Sequence, residues 1–428
     1  MTLVHHRLIT SSVFLLSFGL LPLSAQAINY GIYDSRGLAM GGAAVASATW
    51  HQAQYYNPAL LALHSESEDD SQDGRFVLPN FVVQADNVSE DIADAVSDDL
   101  DTRLGQSVDA FNVQLSPETA GQVAADAREL QSLLDDLANQ DVSGEAFLGF
   151  SVSEPSMLEG GAFYFGVRAI GAGSSHIPEE DQVLLDSYIT ALEVVATGGD
   201  ITEIPAELID SNGNLIDPTE QFNSTADLSG IVITEWAVAM AKQFDVFGQS
   251  LALGITPKVM RVDVFRETTD FDADELDFIG SQRTYVNLNA DMGVVLEMFD
   301  HYRVAFAVKD LLPKKFKTED ELTLQLKAKP RLGLAYVNDR FTLGLDVDVI
   351  ENKPIAAEAA TQEASLGAAV SIFNSTELRL GYRQDITGLR DDVIAGGIAY
   401  QFKRAVFELS YSRSADTTGA AMQFGWAF

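Results

Sequence analysis

Ionisable side chains recur at every second position of several segments in the C-terminal half of the chain. Acids and bases are mixed along these segments, which favours ion pairs that neutralise one another, or a surface lined by water. In both cases the side chains would face the inside of a closed sheet, either as a structural ladder or as a solute path. The residues that we predict to face this lumen are Arg261, Asp263, Asp291, Glu297, Arg303, Arg331, Asp346, Asp348, Arg379, Arg383 and Glu408.

Catalytic chemistry has little support in the sequence. The chain has no cysteine, which excludes thiol nucleophiles, thiolate metal sites and disulfides. Its six histidines are scattered, and no pattern places a base beside a nucleophile. Residues 210–214 resemble part of a calcium loop, but the glycine stands fourth instead of sixth, so an Asn-Gly turn explains the stretch better. We expect no enzyme activity, no metal and no cofactor.

The chain of 428 residues is strongly acidic, with 63 Asp and Glu against 27 Lys and Arg and a formal charge of −36. Such a charge repels polyanions, so nucleic acids are poor partners. The acids concentrate in residues 66–142, 176–229 and 266–281. We interpret these stretches as solvated loops that contain short helices, because the leucines within 130–137 repeat at helical spacing.

Between the acidic stretches, apolar side chains recur with a period of two, which predicts β-strands with one apolar face. In the segment Tyr302–Lys309, the even positions are apolar and the odd positions are charged or small. Fourteen segments follow this pattern. They cover residues 75–85, 146–153, 161–169, 230–243, 250–265, 282–298, 301–309, 323–337, 340–350, 363–373, 376–385, 392–402, 405–413 and 420–428.

The connections between these segments alternate in length. Long acidic connections, including 86–145, 170–229 and 266–281, follow odd-numbered strands, and short turns follow even-numbered ones. Bacterial outer-membrane barrels show this arrangement, with an even number of strands, long extracellular loops and short periplasmic turns. We predict an all-β fold, a fourteen-stranded antiparallel transmembrane β-barrel within residues 65–428 with helical extracellular insertions. Pro257 and Pro330 predict bulges or bends in two strands.

Both ends of the chain fit the outer membrane of a Gram-negative bacterium. Arg7, the apolar run Val13–Leu21 and the small residues Ala25 and Ala27 predict a cleavable signal peptide over residues 1–27. The last strand ends on the aromatic Phe428, which we take as the C-terminal signature of the barrel. We expect outer-membrane lipid around the barrel, and contact with the barrel assembly machinery through the C-terminal strand.

Residues 28–64 are rich in glycine and alanine and lack the period of two, which predicts a compact N-terminal plug. Their motif residues are Arg36, Met40, Gly41, Gly42, Asn57, Pro58 and Ala59. This opening resembles that of the TraF-like family of conjugal transfer proteins, a family of outer-membrane barrels similar to FadL-type long-chain fatty acid transporters. Further stretches, among them 254–258 and 331–336, extend the resemblance along the chain.

The resemblance implies two functions. FadL-type proteins pass hydrophobic molecules through a plugged fourteen-stranded barrel toward a lateral opening, which implies a plugged channel for small hydrophobic solutes, with Asn57, Pro58 and Ala59 in the plug. The family name instead implies an envelope component of a conjugal plasmid transfer system. A third hypothesis, a soluble periplasmic β-rich binding protein, remains open at this stage. A small hydrophobic ligand is the expected partner of the first.

Overall fold

The computed structural model describes residues 30–63, 74–86, 100–138, 141–154, 159–270, 282–319, 323–352, 361–373, 375–415 and 417–428. The predicted signal peptide and parts of the acidic loops lie outside these residues. Among the described residues, no helix is both long enough and apolar enough to span a membrane.

Fourteen antiparallel strands close into a barrel, which confirms the predicted fold. Consecutive strands are neighbours around the wall, and the first strand pairs with the last to complete the circle. The barrel strands are β1 Arg75–Asp86, β2 Asp141–Glu154, β3 Glu159–His176, β4 Thr225–Val246, β5 Gln249–Asp270, β6 Arg283–Met298, β7 Tyr302–Lys309, β10 Lys329–Val337, β11 Phe341–Asp348, β12 Glu363–Ile372, β13 Thr376–Asp385, β14 Val393–Phe402, β15 Ala405–Arg413 and β16 Thr417–Ala427.

The predicted strand 323–337 is wrong in one respect. Its first part is β9 Thr323–Leu326, which pairs with β8 Lys314–Lys317 in a separate hairpin between β7 and β10. Only β10 belongs to the barrel wall. Period-two alternation appears in any strand with one buried face, so the pattern alone could not separate hairpin from wall.

Strands β2 to β5 extend beyond their predicted ends on the side of the long loops. The end of β3 is rich in Gly, Ala and Ser and shows no apolar alternation, yet it keeps pairing with β4 as far as His176. Because the apolar pattern marks only a stretch with one apolar face, it ends before the hydrogen-bonded ladder does. The wall is therefore taller on this side than around β10 to β15.

The acidic connections contain the predicted helices. Helix α3 Leu100–Val113, α4 Pro117–Leu137 and α5 Glu179–Ala196 pack together around a common core that includes Leu104, Leu130, Leu134 and Leu192. Three 3-10 turns follow α5 in the same connection, at Ile201–Glu203, Ala206–Leu208 and Pro218–Gln221. Residues 210–214 form a turn, in which the Asp210 carboxylate accepts bonds from two backbone N–H groups.

The two prolines form no bulge, because Pro257 and Pro330 keep the register of the ladders to β6 and β7. The ladder between β4 and β5 also keeps its register but is interrupted at Thr256 and Pro257. The register shifts instead in β1 between Val77 and Asn80, against both β2 and β16. One extra residue in β1 explains both shifts, since the two neighbours remain regular there.

The outer face of the barrel carries large apolar side chains. Residues that are at least two-fifths exposed on this face include Leu253, Ile255, Val259, Val286, Leu288, Leu332, Leu334, Leu345, Leu378, Leu380, Ile394, Ile398, Phe407, Leu409, Tyr411, Met422 and Trp426. A soluble protein would bury such a band, and a spanning barrel turns it toward lipid. This face argues against the third hypothesis, a soluble binding protein.

We expect Leu380→Arg, in the middle of β13, to lower the free energy of unfolding in lipid vesicles by about 2–4 kcal/mol. Leu380 is 69% exposed, so the substitution removes little packing and mainly places a charge in hydrocarbon. The control is Leu389→Arg, in the connection after β13, which should cost less than about 1 kcal/mol. Urea titration measures the free energy of unfolding of both variants, with the folded fraction read from the mobility of unboiled samples on gels. Equal costs would mean that this face does not contact lipid.

Candidate functional site in the barrel interior

Residues 30–63, called here the inner segment, run around the inside of the barrel. Helix α1 Ser35–Ala39 contacts β1 and β13 to β16, and the 3-10 turn Pro58–Ala62 contacts β3 to β6 on the opposite side. The 3-10 turn Trp50–Gln52 and helix α2 Ala53–Tyr56 lie between them along the chain. Nearly all of these residues are buried, so the segment fills the barrel at this level.

Inward-facing glycines of the wall let the inner segment come close. A Cβ atom on Gly367 would lie 2.7 Å from the carbonyl oxygen of Met40, and one on Gly344 would lie 2.7 Å from the Ser47 hydroxyl. Gly344 pairs with Gly367 on the next strand, and Gly367 pairs with Gly381. We call this set the glycine girdle: Gly160, Gly254, Gly293, Gly333, Gly344, Gly367, Gly381 and Gly397.

The motif residues of the inner segment hold it to this girdle. Met40 and Gly41 lie against Gly367 and Gly381, and Gly41 takes a left-handed conformation at φ 64°. Gly42 accepts a hydrogen bond from Arg331 at 3.4 Å.

The second motif holds the opposite end of the segment. Asn57 accepts from Ala59 N at 3.1 Å and donates to Val45 O at 2.9 Å, which fixes the turn at Pro58. Pro58 and Ala59 lie against Gly254 of the wall.

A cluster of three lysines and three carboxylates lies buried beside the segment, and we call it the lysine cluster. Its members are Glu235, Lys258, Asp291, Lys309, Asp310 and Lys329. The Lys258 ammonium lies 3.0 Å from Glu235, 3.0 Å from Asp291 and 2.7 Å from Asp310. The charges balance, which is the condition for burying them.

Lys309 joins this cluster to the inner segment. Its ammonium donates to the Tyr55 carbonyl at 2.7 Å and stands 3.9 Å from the centre of the Tyr33 ring. Burial raises the pKa of Tyr33 to about 12, so its phenol stays protonated at neutral pH. The ammonium therefore meets a neutral aromatic face, which is a favourable contact when both groups are desolvated.

A second network surrounds Arg331. Its guanidinium lies 2.6 Å from Asp348 and 2.9 Å from Glu363, and Arg383 approaches Glu363 at 3.7 Å. The Asp346 carboxylate accepts the backbone N–H groups of Ala44 and Val45 in the inner segment, at 2.7 and 2.8 Å.

A third network lies at the end of the short turns. Glu377 binds both Arg36 of α1 and Arg379, the latter at 2.5 Å, and Arg379 also binds Glu408. Arg303 pairs with Glu297 at 2.6 Å on the neighbouring strand.

Two sequence-predicted lumen residues are placed differently. On β5 the even positions face inward, since Val262 and Val264 are fully buried within an apolar cluster. Arg261 and Asp263 therefore point outward, where they pair at 2.9 Å and the Arg261 side chain is 51% exposed. The prediction that these two face the lumen is wrong, because the charges were read as the inward set in a strand whose inner face is aliphatic at this level.

The sequence reasoning missed the lysine cluster apart from Asp291. Lys258 stands among apolar neighbours at an inward position, and Lys309 and Asp310 end β7, so an isolated lysine within an apolar strand was the available signal. Contacts among strands distant along the chain, such as that between Lys258 and Asp310, leave no local pattern.

The inner wall on the long-loop side is apolar. Inward side chains of β3 to β5 form a cluster with Phe316, Leu324 and Leu326 of the β8–β9 hairpin, which lies over them. We call the barrel residues of this cluster the aliphatic wall: Ile170, Ile231, Ile233, Met260, Val262 and Val264. All six side chains are at most 4% exposed, because the hairpin covers them. Water-filled porins instead have a polar interior.

The described residues hold no arrangement that suggests metal chemistry. Among them, no group of three or more His, Asp or Glu side chains could hold a metal ion. His51 is buried beside Arg75, and its pKa lies well below the usual value because of burial and that neighbouring charge. A neutral His51 forms no charge pair with Glu408, 4.0 Å away.

A closed fourteen-stranded barrel with an apolar outer face and a packed interior defines a transmembrane-type β-barrel. Residues 54–348 match the family described as "F plasmid transfer operon, TraF, protein". This match covers more than half of the chain, and the chain belongs to that family.

Solved structures share the fold at low identity. The chain is 12% identical to a structure titled "TodX deltaS2S3 mutant monoaromatic hydrocarbon channel", with a TM-score of 0.50 and coverage of 92% of this chain and 99% of that one. The chain is 12% identical to the P. putida toluene transporter TodX, with a TM-score of 0.48 and coverage of 92% of this chain and 98% of that one. It is 11% identical to a Pseudomonas aeruginosa FadL homologue, with a TM-score of 0.47 and coverage of 95% of this chain and 99% of that one. Among curated proteins, none matches the chain.

Lys258→Met should lower the free energy of unfolding by about 3–5 kcal/mol, because it leaves buried carboxylates without their common partner. The control is Lys242→Met on β4, whose pair with Glu159 is exposed and should be worth less than about 1 kcal/mol. Urea titration of the folded band on unboiled gels measures both variants. Equal losses would show that the cluster does not depend on Lys258.

Gly367→Ala should loosen the inner segment, at about 1–3 kcal/mol for an overpacked contact. The control is Gly396→Ala on β14, where a Cβ would meet its nearest neighbours at 3.6 Å. Arg36 is the only Lys or Arg within residues 30–63, so the rate of trypsin cleavage at Arg36 reports on the segment. We expect faster cleavage in Gly367→Ala alone. Matching rates in the two variants would contradict the close approach.

Proposed function

We propose that the protein is an outer-membrane barrel that conducts small apolar solutes, with the inner segment as its plug. The aliphatic wall carries this proposal, because an apolar lining on the long-loop side differs from the polar interior of water-filled porins. The β8–β9 hairpin covers this lining, so a solute would reach it when the hairpin moves aside. The barrel fold shared with a structure titled as a monoaromatic hydrocarbon channel supports it. The solutes would be apolar molecules of about the size of one aromatic ring.

The inner segment stands between this apolar compartment and the short turns. Its tyrosines pack against the wall, with Tyr33 and Tyr55 stacked at 5.9 Å and Tyr33 edge-on to Phe147 at 5.2 Å. Passage of a solute then needs the segment to shift from the girdle. Such a shift would break hydrogen bonds to Asp346 and the ion pair of Arg36, so the closed state is the resting one.

A reversible covalent lock tests whether the plug moves. The hydroxyls of Ser35 in α1 and Ser410 in β15 lie 3.1 Å apart, so cysteines at both positions can form a disulfide. The native chain has no cysteine, which makes this the only possible bridge. We expect the oxidised double variant S35C/S410C to take up radiolabelled toluene at least fivefold more slowly than its reduced form, in cells of a Gram-negative host.

Three comparisons make this result decisive. The unmodified protein should raise toluene uptake above that of the host alone, while uptake of a disaccharide stays unchanged. The single variant S410C should respond to neither oxidant nor reductant. Toluene uptake at the host's own rate would refute the channel, and undiminished uptake with the disulfide formed would refute the moving plug.

A role in plasmid transfer is the second proposal, and family membership favours it. The helices α3 to α5 form a separate core, and at the junction of α3 and α4 Val113 is 89% exposed and Leu115 is 58% exposed. We infer that this junction contacts another envelope protein. Contact of the C-terminal strand with the barrel assembly machinery through Phe428 also stays a proposal.

Deletion of the gene in a donor strain should lower plasmid transfer at least tenfold if this second role holds. Complementation with the unmodified gene should restore transfer, whereas V113D/L115D should not, since two charges in an apolar contact disrupt it. The fast-migrating folded band of the variant serves as its control. Unchanged transfer after deletion would remove the proposal.

A further inference from the structure

A cavity opens at the short-turn end of the barrel, beside the inner segment. It comprises two adjoining spaces of about 340 Å³ each, which share Arg36, Thr49, His51 and Arg75 among their lining residues. Trp50, Leu60 and Phe341 give one side of it an apolar surface. The cavity lies far from the aliphatic wall of the long-loop side and has no part in the transport proposal.

The positive charges around this cavity exceed the negative ones. Arg36 and Arg379 are neutralised by Glu377 and Glu408, with Arg379 bound to both carboxylates. Arg75 adds a third guanidinium, and it forms no ion pair with a carboxylate of any residue that the structure describes. The lining also carries Arg303, which pairs with Glu297, and the oppositely charged neighbours Asp339 and Arg340. One positive charge at a half-buried site, that of Arg75, therefore has no carboxylate partner, in a chain whose formal charge is −36.

One edge of the Arg75 guanidinium is held and the other is not. Its Nη1 atom lies 3.2 Å from Nε2 of His51, and its Cζ stands 5.6 Å from the centre of the Trp50 ring. The Nε atom is buried from solvent and has no hydrogen-bond partner, so a ligand in the cavity does not reach it. Nη2 forms no hydrogen bond among the described residues and is the donor left for a ligand, and a charged N–H bonds strongly to a carboxylate oxygen.

We propose that this cavity binds a small carboxylate monoanion with an apolar body, its carboxylate on Nη2 of Arg75 and its body against Trp50, Leu60 and Phe341. The excess of one positive charge selects a monoanion over a dianion. The site is at the mouth that would face the periplasm, and its ligand class differs from the neutral apolar solutes proposed above.

Trp50 provides the readout, because it is the indole that lies on Arg75. The other two tryptophans, Trp236 and Trp426, are exposed on the outer face and can be replaced by phenylalanine. Benzoate is the probe, and benzamide is its neutral counterpart of the same shape. We expect a saturable change of Trp50 fluorescence with benzoate in the detergent-solubilised full chain, and at least tenfold weaker binding of benzamide.

Variants assign the effect to Arg75. Arg75→Met should weaken benzoate binding about tenfold or more, as expected on losing a charged hydrogen-bond partner. The control Arg404→Met makes the same charge change in the β14–β15 turn at the same end, outside the cavity lining, and should shift affinity less than twofold. Arg75→Lys keeps the charge without the planar edge and should bind at least threefold more weakly than the native protein.

Each remaining outcome overturns the site. Equal binding of benzoate and benzamide would show that only the apolar surface acts, and no saturable response would show that Arg75 takes no such ligand. If Arg75→Met does not give the fast-migrating folded band, Arg75→Lys becomes the test of the site. Benzoate binding by Arg75→Lys with the affinity of the native protein would refute the role of the guanidinium. None of these measurements involves solute passage, so failure of this site leaves the channel proposal standing.

Discussion

The architecture depends on the absence of Cβ atoms along the glycine girdle. A Cβ atom at Gly344 or Gly367 would lie 2.7 Å from the nearest atom of the inner segment, and one at Gly333 would lie 2.9 Å from it. With these glycines the backbone of the segment comes into contact with the wall. The inner segment is rich in Gly and Ala for the same reason that the girdle is made of glycine, since close packing needs small residues on both surfaces.

Charge balance is the second condition for a filled interior. Burying an ion costs several kcal/mol after relaxation, so the interior charges survive only in sets that cancel. The lysine cluster reaches neutrality with residues from β4, β5, β6 and β10 and the end of β7, and the Arg331 and Arg379 networks tie the inner segment to β10 through β15. The same contacts neutralise charge and position the segment, which explains why ionisable residues are so frequent in an interior that holds little space.

The barrel could be predicted from the sequence because its two signals are local. Period two gives strands, and the alternation of short and long connections gives an up-and-down closure. The hairpin β8–β9 shows the same period as the wall, so the period alone does not distinguish the two. Arg261 shows that a charged strand position can face outward, where it pairs with Asp263. The glycine girdle and the ion pairs of Lys258 arise from contacts between residues far apart in sequence, so no local sequence pattern predicts them.

The interior changes character along the barrel axis, and this order limits how any solute can move. Aliphatic side chains line the long-loop side, buried ion pairs and tyrosines occupy the middle, and arginines lie at the short turns. An apolar molecule gains nothing from the middle layer, because it cannot replace the ion pairs and hydrogen bonds there. In the proposed channel, passage through a rigid interior would therefore be slow, and rearrangement of the inner segment would set the rate. Such a rearrangement would have to separate the rings of Tyr33 and Tyr30 from Lys309 and Arg331, which lie directly against them.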